Sequence, residues 1–119
     1  MLFPIGFFKQ EILKEYNVIN QSIFGIGVKA QSVEFINNKI IFSTHSGRPE
    51  ILRQLDEYFP SESLHVNQML IQIFKEKIKE VFEQKFDLDI VAVFKDYDVR
   101  SEHSITVIVL DGNVDKMFE

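Results

Sequence analysis

The stretch that decides the fold is residues 32–44, SVEFINNKIIFST. Apolar and polar residues alternate on both sides of Asn37-Asn38, the period-2 pattern of strands that bury one face. Asn tolerates positive φ, so the pair reads as a two-residue type I′ hairpin turn. That register sets Phe35 opposite Ile40 and Val33 opposite Phe42, all on one face, with Glu34 and Lys39 on the other. A slip of one residue would turn every one of those side chains over, so the alternation specifies the pairing.

Upstream of the hairpin, Ile5, Phe8, Ile12, Tyr16 and Ile19 recur at steps of three and four, a single helical stripe. This first helix is expected to stop before SIFGIGVKAQ, where Gly25 and Gly27 favour a loop. Downstream, SGRPEILRQLDEYFP reads as a short helix with Ile51, Leu52, Leu55, Tyr58 and Phe59 on its apolar face. Its proline sits near the helix start, where the missing N–H costs nothing, and Pro60 closes it. Val66, Met69, Leu70, Ile73, Phe74, Ile78, Val81 and Phe82 then mark a long helix over about 64–86. At about 33 Å it is long enough to cross a small sheet. LDIVAVFKDY and SITVIVLD, rich in β-branched residues, read as two more strands. Their near-continuous apolarity predicts positions in the middle of the sheet. The order is α-β-β-α-α-β-β. That is an α+β fold with a four-stranded, mainly antiparallel sheet of two hairpins and helices packed on one face. Residues 1–119 read as a single domain, with the tail DGNVDKMFE expected to fray.

The composition narrows the function classes. The 119-residue chain is 45% hydrophobic and 26% charged, with twelve Phe and no Trp, an ordinary globular balance. It has no Cys, which removes disulfides, thiolate catalysis and zinc ribbons, and an intracellular, cytoplasmic location is the expectation. A formal net charge of -5 argues against nucleic acid as a partner. No run approaches the length of a membrane span, so direct membrane insertion is not expected. The start, MLFPIGFF, lacks the charged lead of a signal peptide and is broken by Pro4 and Gly6. It reads either as core packed under the sheet or as a partly exposed partner or dimer patch.

Candidate chemistry is sparse. GIGVKA, residues 25–30, has the G-x-G-x-x-A form of a dinucleotide loop. It follows a helix and precedes a strand, the reverse of the order that aims helix N–H groups at a pyrophosphate. It reads as a helix-ending turn, whose backbone N–H groups with Lys29 would at most make a small anion nest. The three histidines show no metal-ligand spacing. Asp96 and Asp98 share one side of a strand, and His103 returns opposite them, so these three are the candidate divalent-ion cluster. The competing reading of residues 96–103 is a polar hairpin turn at the end of the sheet. Ser46 beside His45 is a neighbour in sequence and not a triad. No catalytic residue, cofactor or resident metal is assigned.

Taken together, FGIGVKAQSVEF, then SGRPEILRQL, then the long helix, then DYD at 96–98 and a strand closing in Val-Leu-Asp resemble the MpsC-like family. This is a small bacterial domain formerly of unknown function, associated with the Na+-translocating, membrane-potential-generating system. Gly25, Gly27, Asp96 and Asp98 are the positions that carry over. Ile26 stands where the family has a basic residue and Val28 where it has proline. The resemblance implies a non-enzymatic intracellular accessory domain linked to cation or inorganic-carbon transport, with a membrane transporter subunit as partner. With the apolar N-terminus, it makes a homodimer the leading expectation. The alternative is a small-ligand, anion or divalent-metal binding domain using Gly25, Gly27 and Lys29 or the turn bearing Asp96, Asp98 and His103.

Overall fold

The structure, a computed structural model, describes residues 4–114. Helix α1, Ile5–Phe24, buries Phe8, Ile12, Tyr16 and Ile19, the stripe read from the sequence, while Ile5 at its start stays exposed. The helix runs three residues further than expected. Ser22 is accommodated because its hydroxyl donates back to the Ile19 carbonyl, 2.9 Å away. Termination waits for Gly25, which takes the left-handed conformation (φ 74°) and donates its N–H to the Gln21 carbonyl.

Strands β1, Ala30–Ile36, and β2, Lys39–His45, pair antiparallel in the predicted register, Val33 against Phe42 and Phe35 against Ile40. The turn differs from type I′, because of its two residues only Asn37 has positive φ (56°). Asn38 is held by the neighbouring strand instead: its carbonyl accepts from Leu110 N–H at 2.8 Å and its side-chain amide donates to the Leu110 carbonyl.

Helix α2 is Glu50–Tyr58 and α3 is Pro60–Phe86. Pro60 both ends the first and opens the second, so the long helix starts a turn earlier than the apolar pattern indicated. Strands β3, Ile90–Asp98, and β4, His103–Leu110, complete an antiparallel sheet of order β1-β2-β4-β3. Only β4 joins β2 in the middle; β3 lies at an edge, contrary to the reading of its apolar run. Its outward Val91 and Phe94 are exposed, which is what lengthened the run without burying the strand.

Helices α1 and α3 cover one face of the sheet. There Ile40, Phe42, Ile108, Phe74, Ile78 and Phe82 are all fully buried. Tyr16 stacks on Phe42 with ring centroids 4.5 Å apart, Phe74 meets Tyr16 edge-on at 5.1 Å, and Phe82 meets Phe42 at 6.1 Å. The apolar N-terminus divides: Phe8 is core, Phe7 and Ile5 are exposed, and residues 1–3 lie outside the described residues. Of the tail expected to fray, Val114 is fully buried and donates to the Asn37 carbonyl, while 115–119 lie outside the described residues.

The helical pair α2 and α3 buries less than its stripes promised. On α2 only Leu52 is buried, and Ile51, Tyr58 and the capping Phe59 after it are exposed; on α3 Met69 and Ile73 are exposed while Ile71 and Phe86 go inside. An α3 of 27 residues is about 40 Å long and outruns the sheet. The radius of gyration of 15.0 Å accordingly exceeds the roughly 13.5 Å expected of a compact chain of this length. Among the described residues no helix is long and apolar enough to cross a membrane.

Phe42 touches both covering helices through its ring contacts. Phe42→Ala is therefore expected to lower unfolding stability by about 3–5 kcal/mol, read from urea denaturation followed by circular dichroism.

Candidate functional site

The glycine loop faces inward. Val28 N–H donates to Asn17 Oδ1 at 2.9 Å, Lys29 N–H to the His45 carbonyl at 2.7 Å, and Asn20 Nδ2 to the Ile26 carbonyl at 3.0 Å. With Gly25 N–H bonded to Gln21, these donors fasten the loop to α1 and β2. A side chain at Gly27 would come 3.4 Å from Asn17, so the loop is seated closely on the helix. Lys29 lies against Gly47; the Glu102 carboxyl is held below its usual range first by the Arg48 backbone N–H and, less, by the Lys29 charge.

On the far side of the sheet, Asp98 pairs across the strands with His103 and Asp96 with Ile105. The sheet thus brings Asp98 and His103 together, with Asp96 two pairs away along the ladder. Asp98 is engaged in the turn, where its carboxylate accepts from Ser101 N–H and Oγ at 2.9 and 2.7 Å; these bonds lower its pKa. Asp96 accepts from Tyr97 N–H, and His103 stacks on His45 with centroids 4.6 Å apart. Among the described residues, no group of three or more His, Asp and Glu side chains is placed to hold a metal ion. The polar turn expected over 96–103 is shorter than that: Asp96 to Asp98 belong to β3 and His103 to β4, and only residues 99–102 make the hairpin connection, with Glu102 N–H closing on the Asp98 carbonyl and Glu102 itself at φ 60°.

A richer site lies at the other side of those strands, at one end of the core. Along the covered face the sheet changes from Phe35, Ile40, Ile108 and Val93 to Thr44, Ser104, Thr106 and Lys95. The α3 stripe changes in step, from Phe74 and Ile71 to Asn67 and Ser63. Arg48, 6% exposed, organises the loop between β2 and α2. Its Nε and Nη2 donate to the two Asp56 oxygens at 3.0 and 2.9 Å, and its Nη1 to Asn67 Oδ1 at 2.6 Å. Its backbone N–H donates to Glu102 Oε2, to which Arg53 also donates. The Arg48 guanidinium holds the Asp56 carboxyl below its usual range, against the opposing effect of burial and with help from the Ser63 hydroxyl. The Tyr97 hydroxyl donates to the Ser46 carbonyl, and burial pushes its pKa up, with Glu102 adding to the rise.

Beside this clamp, Asn20, Phe24, Ile26, Asn67, Lys95 and Tyr97 line a cavity of about 20 Å³. The Lys95 ammonium donates to Tyr16 Oη at 2.9 Å and Ser104 Oγ at 3.3 Å and lies 4.2 Å from the Phe74 ring centroid. Tyr16 in turn bonds Thr106, and Ser104 bonds Thr44. Sequence reading passed over Arg48, Asp56, Asn67 and Lys95. The signals were present as anomalies of period: a lysine in the inward phase of VAVFKDY, and Ser63 and Asn67 four apart in line with Ile71.

Comparisons with protein-family models, with curated proteins and with solved structures find no match to this chain.

Arg48→Lys keeps a charge but loses the planar fork, and is expected to destabilise by about 1–3 kcal/mol in denaturant unfolding. The Asp56 pKa is lower in the folded chain than its ordinary 3.8. Its contribution is therefore complete above that value and is lost as pH falls through the folded pKa. Asp56→Asn should flatten the acid limb of the stability profile, measured by thermal unfolding between about pH 2 and 6.

Proposed function

We propose that this chain is a non-enzymatic interaction domain that pairs with a second copy of itself through the uncovered face of its sheet. The observation that carries the reading is the composition of that face. Its two inner strands present Ile41, Ile105, Val107 and Val109, with Phe94 beside them on β3, and among the described residues no helix lies over them. Ile105 is 48% exposed and Phe94 59%. Glu34, Lys39, Asp96 and Asp98 stand around this centre, the arrangement of an apolar interface core with a polar rim.

A twofold contact lays a surface on itself, so a charged centre would meet its own like charge. This centre is neutral, and two twisted sheets stack at about 10 Å by interdigitating such residues. Four strands of seven to nine residues make a face of roughly 500 Å² in projection. That is more than half of the about 800 Å² that each partner contributes to a standard interface, the range of a reversible dimer. The resemblance to the MpsC-like family adds the physiological part of the proposal, an intracellular accessory role beside a cation or inorganic-carbon transporter.

Light scattering coupled to size exclusion should give a mass rising with concentration from 13.9 kDa toward twice that value. Ile105→Asp and Phe94→Asp should hold the protein at the lower mass with unchanged circular dichroism, because both positions are exposed in the monomer. A wild-type mass of 13.9 kDa at every concentration would refute self-association. Recovery of no transporter subunit with a tagged copy from native membranes would refute the transport role.

A further inference from the structure

Of the two cations turned toward the polar end of the core, one is neutralised and one is not. Arg48 is met by Asp56 at ion-pair distance. Lys95 projects from the inward phase of β3 and has no carboxylate at ion-pair distance among the described residues. Its protein partners are the Tyr16 and Ser104 hydroxyls and the face of Phe74. An ammonium has three donors, so these two bonds leave one without a protein acceptor. A half-buried charge that lacks a counter-charge is costly, and a bound anion is the simplest compensation.

The remaining wall of the cavity matches that ligand. Asn67 has committed Oδ1 to Arg48, which leaves its Nδ2 as a donor. Asn20 has committed Nδ2 to the Ile26 carbonyl, which leaves Oδ1 as an acceptor for a protonated ligand oxygen. The cavity volume of about 20 Å³ is small, so the ligand must be compact. Arg48 and Tyr97 also line the cavity, and Phe24, Ile26 and Ile71 supply its apolar wall.

We propose that the cavity bounded by Lys95, Asn67 and Asn20 binds a small carboxylate or oxyanion, with Lys95 supplying the charge and Asn67 a second hydrogen bond. The site is on the covered side of the sheet and involves none of the residues assigned to self-association, so it stands or falls separately from that reading.

The test is a proton–nitrogen correlation NMR titration of the full chain with sodium formate, acetate and inorganic phosphate, against sodium chloride at matched ionic strength. At least one of the three should give saturable shifts centred on the amides of Asn67, Lys95 and Ser104. Lys95→Met, which keeps the aliphatic stem over Phe74, should weaken binding about tenfold or more, as expected for loss of one charge-assisted hydrogen bond. Asn67→Asp retains an oxygen for Arg48, puts a carboxylate beside the lysine, and should abolish the saturable shifts. Shifts that never saturate in the wild-type chain, or that match those of chloride, would overturn the site whatever the variants do. Equal binding by a folded Lys95→Met or Asn67→Asp protein would overturn it as well.

Discussion

A guanidinium taken out of water must find partners for its N–H donors, and Arg48 finds them on two helices at once. Asp56 of α2 receives the fork, and Asn67 and Ser63 of α3 receive the remaining edge. The backbone of the same residue reaches Glu102 in the turn between β3 and β4, and its guanidinium lies 5.7 Å from the Tyr97 ring centroid. The partners are spread over α2, α3 and the β3–β4 hairpin, so the position of α2 and the N-terminal half of α3 depends on this one residue. Burying such a charge is tolerable only when every partner is in place, which makes the arrangement specific as well as stabilising.

That constraint divides the interior into two regimes. At one end Phe42, Phe74, Phe82 and Tyr16 interlock by shape, and stability follows from apolar area removed from water. At the other end a chain of hydrogen bonds joins Thr44, Ser104 and Lys95 and, through the Tyr16 hydroxyl, Thr106, while Asn67 bonds Arg48. Polar interiors of this kind bring donors and acceptors together before a ligand arrives. The sheet separates this chamber from the apolar outer face, so one domain carries two surfaces of opposite chemistry, back to back.

Much of the fold was legible because its decisive elements carry strict periods. The first hairpin's register follows from alternation around Asn37-Asn38, since a slip would expose Val33, Phe35, Ile40 and Phe42 together. Strand order was less legible. Strands β3 and β4 look alike in composition, and only the pairing of β2 with β4 leaves β3 at the edge with Phe94 in the open. The α2 stripe misled for a related reason: an apolar helical face predicts burial only if something lies opposite it. The candidate site was nearly illegible, because Arg48, Asp56, Asn67 and Lys95 are separated along the chain and each alone looks like an ordinary surface residue.

From its sequence alone this protein is an α+β chain with two antiparallel hairpins, a long helix and a polar turn between the last two strands, since these are local consequences of side-chain period and turn chemistry. Tertiary structure alone decided which strand lies at the edge, which apolar faces stay uncovered, and that Lys95 points into a chamber beside a neutralised Arg48. Those outcomes depend on distances between segments far apart in the chain, and no local pattern encodes them.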